Sequence, residues 1–190
     1  LLEAKRFFEP GVEKIPLTVY KVGDRFNIGP FEIEAINVTH SIPEPVALAI
    51  RTPLGTIVHT GDWKLDDTPS MGLPTDGKRF SEIGAEGVLA LMCDSTNALR
   101  EGDSPSEKAV GENLTKIISG AKGRVAVTSF SSNVGRIRTV MLAARDAGRS
   151  VIVLGRSMKR MLEVSGDLGY MEGMPETLGE DDFASIPRQN

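Results

Sequence analysis

The sequence predicts an α/β protein whose order changes along the chain, from a mostly antiparallel sheet to the alternating strands and helices of a parallel one. Three observations carry this. Residues 17–62 hold short apolar runs at short spacing, broken by Gly and Pro. Beyond residue 98 the apolar residues recur at helical spacing. Those helical stretches alternate with β-type runs through tight joins, the pattern of a βαβ crossover. The change of pattern predicts a domain boundary, with one domain over 1–98 and a second over 99–190.

The N-terminal residues 1–8 read as the body of an amphipathic helix with no start Met and no N-cap. Residues 186–190 follow an acidic stretch that reads as a connector, so the chain is expected to be an internal piece of something longer. Residues 17–22 predict a strand leading to the Gly23-Asp24 turn, and residues 26–28 a second, reaching Gly29-Pro30. Residues 31–40 begin with the apolar–polar alternation of a half-buried strand. Residues 46–51 and 56–60 flank Thr52-Pro53-Leu54-Gly55, a hairpin loop with Pro and Gly where turns want them. Residues 63–87, rich in Asp, Gly and Pro, read as loop. The apolar run 88–93 predicts a strand buried on both faces, closing on Asp94.

In the second half, Ser104-Pro105-Ser106-Glu107 has the spacing of a capping box, with Ser104 at the N-cap and Glu107 at N3. Val110, Leu114, Ile117 and Ile118 then give a helical stripe ending at Gly120. Residues 124–130 predict a strand, Val134 to Ala144 a helix closed by Gly148, residues 150–154 another strand, and Gly155-Arg156-Ser157 the start of another helix.

Composition narrows the function classes. Of 190 residues, 40% are hydrophobic and 25% charged, enough for a real core, and the net charge of −4 supplies no global pull toward nucleic acid or anionic membrane. No run approaches the roughly 18 apolar residues of a spanning helix, so no membrane partner is expected. One cysteine, Cys93, excludes an internal disulfide and fits a reducing, cytoplasmic setting.

The chain holds only two histidines, His40 and His59. His40 follows a predicted strand at a loop mouth, and Asp62 follows the next hairpin. Singly, such residues are more often structural. Together they are chemically apt, because a neutral imidazole and a carboxylate are donors that Zn²⁺ and Mn²⁺ accept, and a carboxylate can bridge two ions. His59, inside the second strand, either packs on the sheet or supports the site through a hydrogen bond. Asp94 either caps its own turn or serves as an acid at the carboxyl end of a buried strand.

At this point a family resemblance emerges. Thr39-His40-Ser41-Ile42-Pro43-Glu44, then residues 52–64 ending in His59-Thr60-Gly61-Asp62-Trp63-Lys64, then Cys93-Asp94-Ser95-Thr96-Asn97-Ala98 resemble consecutive signatures of the ribonuclease J family. That family belongs to the β-CASP branch of the metallo-β-lactamase superfamily. Ser129-Phe130-Ser131-Ser132-Asn133 and Gly155-Arg156-Ser157-Met158 are similar to its β-CASP portion. The resemblance implies part of a metallo-β-lactamase αββα sheet in 1–98, followed by the start of a parallel-sheet β-CASP domain.

By position, it implies that His40 ligates one metal, that Asp62 bridges two, and that Asp94 orients a histidine at the cleavage site. It implies two Zn²⁺ per complete site, with Mn²⁺ or Mg²⁺ as substitutes, and a metal-bound hydroxide that attacks RNA phosphodiesters by endonuclease and 5′→3′ exonuclease action. RNA is the implied partner, and the full-length protein is expected to be a homo-oligomer. The family's His-x-His-x-Asp-His motif and its β-CASP histidines are missing from this chain. Two ligands fall short of the four Zn²⁺ takes. By itself the chain is therefore expected to bind catalytic metal weakly or not at all, and not to cleave RNA.

Arg156, Ser157 and Lys159, beside a helix N-terminus whose free N–H groups suit phosphate, are candidate RNA contacts, against the plainer reading of a solvated helix face. Two other readings stay open: a related hydrolase acting on a different ester, and a non-catalytic scaffold or oligomerisation module.

Overall fold

The computed structural model describes residues 11–187, so the helix expected over residues 1–8 and the last three residues lie outside it. The first half is built on a five-stranded sheet of β1 (Arg25–Ile28), β2 (Phe31–Asn37), β3 (Val46–Thr52), β4 (Gly55–His59) and β5 (Ala90–Met92), in that spatial order. The pairings β1–β2, β2–β3 and β3–β4 are antiparallel and β4–β5 is parallel. Gly29, at φ +55, makes the first turn, a left-handed conformation that glycine adopts without penalty. The second turn is only Pro53-Leu54, with Thr52 paired to Gly55.

Residues 17–22 do not form the expected strand. They run exposed and unpaired in the sheet, and Lys21 instead closes a turn by donating its N–H to Asp24 Oδ2 at 2.7 Å. On β2 the expected alternation is also replaced: Ile33, Glu34, Ala35 and Ile36 are all buried. Glu34 can be buried because Arg79 and Arg51 reach it at 2.6 and 2.8 Å and Arg25 at 3.2 Å. A buried carboxylate without such partners would be costly.

Residues 77–86 correct the reading of 63–87 as loop. They form helix α1 (Gly77–Glu86), capped by Asp76, whose carboxylate accepts the Arg79 N–H at 2.9 Å. Its apolar content is slight, but Ile83 enters the core of Ile36, Val38, Ala47, Ala49 and Val58, with Phe80 and Trp63 packed alongside. The helix lies over this central part of the sheet. β5 forms the sheet edge and is not buried on both faces as expected, with Leu91 and Met92 63% and 57% exposed.

The second half contains α2 (Glu107–Gly120), α3 (Val134–Asp146), β6 (Val151–Ile152), α4 (Arg156–Asp167) and β7 (Thr177–Leu178). The N-cap of α2 is Ser106, which accepts the Ala109 N–H at 3.2 Å, and not Ser104. Asn133 caps α3 by accepting the Arg136 N–H at 2.9 Å. α2 and α3 pack together, burying Ile118, Val134, Ile137, Met141 and Ala144. The βαβ unit expected from residues 124–130, the helix over 134–144 and residues 150–154 does not form; the parallel pair is instead β6 and β7, joined through α4. Residues 124–130 form no strand. Val125, Val127, Met141 and Val151 are among the residues lining a mainly apolar cavity of about 430 Å³. Arg124 is drawn away to the carbonyls of Phe183 and Ile186, at 2.8 and 2.7 Å. Among the described residues, no helix is long and apolar enough to cross a membrane.

Candidate functional site

β2 and β4 flank β3 antiparallel to both, so they run in the same direction, and β5 runs parallel to β4. The carboxyl ends of β2, β4 and β5 therefore open on one edge of the sheet. His40, Asp62 and Asp94 each lie just beyond one of these ends. Strands two places apart are separated by roughly 10 Å, so the hairpin alone does not bring His40 and Asp62 together.

A cluster of threonines closes the gap. Thr39 and Lys64 form an isolated antiparallel bridge, in which the Lys64 N–H donates to the Thr39 carbonyl at 2.8 Å. The Thr39 hydroxyl donates to the Lys64 carbonyl, which also accepts the Thr75 hydroxyl at 3.2 Å. Thr75 Oγ1 in turn accepts the Thr39 N–H at 3.0 Å. Thr75 immediately precedes the α1 cap, so α1 helps set this edge. Residues adjacent to His40 and two beyond Asp62 are thus cross-linked.

Thr60 performs the same service for Asp94. Its N–H donates to the Met92 carbonyl at 3.0 Å and its hydroxyl oxygen accepts the Asp94 N–H at 3.1 Å. The Asp94 carboxylate accepts the Thr96 hydroxyl at 2.6 Å and the Thr96 N–H at 2.9 Å. These bonds hold its carboxyl below the usual range, and the nearby His40 adds to the effect. Asp94 therefore caps its own turn and lies within electrostatic range of His40.

His40 is exposed, its Nδ1 3.3 Å from Ser41 Oγ. Asp62 is exposed and makes no hydrogen bond or ion pair among the described residues. His59 lies at the end of β4, where its Nδ1 accepts the Gly61 N–H at 3.1 Å. That bond fixes the turn leading to Asp62. Among the described residues no group of three or more His, Cys, Asp or Glu side chains could hold a metal ion. His40 and Asp62 are suitable donors in kind but do not make a complete site, since Zn²⁺ takes about four.

In the second half, Arg156 and Ser157 begin α4 behind Gly155, and their side chains make no hydrogen bond or ion pair among the described residues. Lys159 is engaged, its Nζ 2.8 Å from Glu180 Oε1. Glu180 is held below its ordinary range by that ammonium and by the Gly155 N–H. A carboxylate of the chain thus occupies part of the helix end read as a phosphate contact.

Sequence reasoning missed the threonine cluster and a link between Tyr170 and Glu44. Glu44 lies in the loop after His40 and holds a left-handed backbone at φ +53. Burial, with the Glu44 carboxylate beside it, pushes the Tyr170 phenol up to about 12. Neither feature follows a local pattern, because the partners are far apart in sequence.

The chain is similar to several known proteins. Residues 122–190 match the family model described as the β-CASP domain of ribonuclease J. A ribonuclease J of Sinorhizobium meliloti is 63% identical over 188 residues, which cover 99% of this chain and 33% of that protein. Those of Thermus thermophilus and Helicobacter pylori J99 are 45% and 39% identical over 78% and 90% of the chain, 26% and 25% of their own lengths. The chain thus spans about a third or less of the relatives it matches. A crystal structure of an Enterococcus faecalis V583 protein of unknown function aligns with a TM-score of 0.62 over 96% of this chain and 45% of that one. At 18% identity, that is a likeness of fold.

Proposed function

The chain belongs to the ribonuclease J family, and from that premise we propose that it forms part of a metal-dependent ribonuclease hydrolysing RNA phosphodiesters in RNA processing and decay. The observation that carries this reading is the cross-linking of Thr39 to Lys64, which ties the His40 and Asp62 segments together at the edge where Asp94 also lies. In this reading His40 and Asp62 present donor atoms to the hydrolytic centre. Asp94, its carboxylate already ordered by Thr96, orients a basic group there. His59 supports Asp62 through the Gly61 turn.

The same proposal includes a domain boundary near residue 98, a cytoplasmic location, a homo-oligomeric full-length enzyme, and both endonucleolytic and 5′→3′ exonucleolytic action. Arg156, Ser157 and Lys159 would contact RNA phosphate only after Glu180 yields its place beside Lys159. The incomplete donor set supports the further reading that these 190 residues alone do not cleave RNA. With two donors in place, no step of hydrolysis is assigned to this chain by itself.

The test is cleavage of a 5′-labelled single-stranded RNA by a full-length ribonuclease J carrying this sequence. His40→Ala and Asp62→Ala are expected to abolish cleavage while leaving the folded signal unchanged. Full cleavage by either variant overturns the assignment.

A further inference from the structure

The segment that follows Asp62 is held from the second half of the chain. Lys64 Nζ lies 3.0 Å from Asp66 Oδ2 and 3.2 Å from Glu107 Oε1. The Asp66 side chain is 1% exposed, and its carboxylate accepts the Glu107 N–H at 2.7 Å and the Thr68 N–H at 2.9 Å. Burial pushes the Asp66 carboxyl up, but those N–H groups and the Lys64 ammonium more than offset it and hold it below its ordinary range.

Glu107 is the first residue of α2. Its N–H is one of the donors a helix start leaves unsatisfied, and its carboxylate sits where the helix dipole favours negative charge. Arg136 of α3 grips that carboxylate with two nitrogens, Nη2 at 3.0 Å and Nε at 3.3 Å from Oε2. Packing reinforces the contact. Gly135, buried on α3, lies so close to Ser70 that a Cβ there would overlap the Ser70 hydroxyl. Two helices therefore meet the loop through a continuous set of ion pairs and one close backbone approach.

We infer that Glu107 is a positioning residue, and that the series Lys64–Asp66–Glu107–Arg136 is a latch by which α2 and α3 set the place of the Asp62 loop. The consequence rests on the reading of Asp62 as part of a hydrolytic centre: the strand-end carboxylate is correctly placed only when the second half is docked. A network shared among four partly buried charges is held more firmly than an exposed pair, because each side chain is already restrained by the others and the surrounding solvent screens it less.

Trp63 is the single tryptophan of the chain and lies between Asp62 and Lys64, so its fluorescence reports on this loop. Glu107→Gln keeps the shape of the side chain and removes the charge on which Lys64 and Arg136 converge. In the 190-residue chain it is expected to shift Trp63 emission to the red and to speed exchange of the Lys64 amide, with far-ultraviolet circular dichroism retained. Glu112→Gln, on an exposed part of the same helix, is expected to change neither.

Wild-type emission and Lys64 protection in folded Glu107→Gln overturn the latch. If Glu107→Gln fails to fold, Arg136→Lys, which keeps the charge but loses the two-pronged grip, is judged by the same shift or its absence. Neither readout is cleavage. An unresponsive Trp63 thus defeats the latch alone, whereas cleavage that survives Asp62→Ala defeats the assignment of the centre alone.

Discussion

Thr39 and Lys64 pair backbone to backbone at 2.8 Å beyond the ends of β2 and β4, and this one bridge draws together segments that the intervening strand β3 holds apart. The Thr39 hydroxyl strengthens it by donating to the Lys64 carbonyl, beside Thr75. Thr39→Val keeps the shape and removes the hydroxyl, leaving the partly buried Lys64 carbonyl short of a donor. Such a loss costs about 1–2 kcal/mol. Urea unfolding of the variant is expected to show that drop, and a full-length enzyme carrying it is expected to cleave RNA more slowly. Unchanged stability would show that Thr75 alone satisfies the Lys64 carbonyl.

Glu34 is expected to make the first half acid-sensitive. The Arg79 side chain is the main reason its carboxyl lies at about 2; burial opposes the shift, and Arg51 and Arg25 reinforce it. The unfolded chain, with its carboxyl near the ordinary 4.5, binds the proton more readily than the folded one. The contribution is therefore complete above pH 4.5 and fades as pH falls toward 2. Glu34→Gln removes the charge from under three arginines and is expected to cost about 3 kcal/mol near neutrality. In urea titrations, the gap between wild type and variant should narrow with acid; a gap independent of pH would contradict this account.

The start of α2 offers a discriminating pair of variants. Ser106→Ala is expected to cost about 1 kcal/mol, as loss of an N-cap does, because it removes the acceptor of the Ala109 N–H. Ser104→Ala is expected to be nearly neutral. Thermal melts that reverse this order would restore Ser104 as the cap.

Tyr170 should add an alkaline limit. Its folded value of about 12 exceeds the ordinary 10.0, burial being the larger cause and Glu44 the second. The folded state therefore keeps its proton longer, and the associated stability is complete below pH 10 and lost as pH rises toward 12. Tyr170→Phe is expected to flatten that part of the pH–stability curve. Equal slopes in both proteins would remove Tyr170 from the account.

Much of the architecture was legible in local patterns. The β2, β3 and β4 strands follow from apolar runs between Gly and Pro, and α3 follows from its apolar spacing and closing glycine. What escaped were elements defined by distant partners. Helix α1 carries just two large apolar residues, Phe80 and Ile83, and reads as loop until Arg79 meets Glu34 and Ile83 meets the sheet. Residues 124–130 look like a strand, yet the second half pairs β6 with β7 instead. The run at 88–93 looks doubly buried, but β5 ends at the sheet edge.

The candidate site divides along the same line. The residue types of His40, Asp62 and Asp94, and their places after strands, are properties of the sequence, since strand direction and loop position follow from nearest-neighbour chemistry. So is the family, carried by motifs in register. Which groups hold these residues in place was decided by the tertiary structure. Glu107 shows why. Its sequence position suggests a local cap three residues into a helix, whereas folding makes it the first helical residue and gives its carboxylate to Lys64 and Arg136. A charge has no sequence-encoded partner when the competing partners lie tens of residues away, because proximity in the folded chain alone determines which of them it meets.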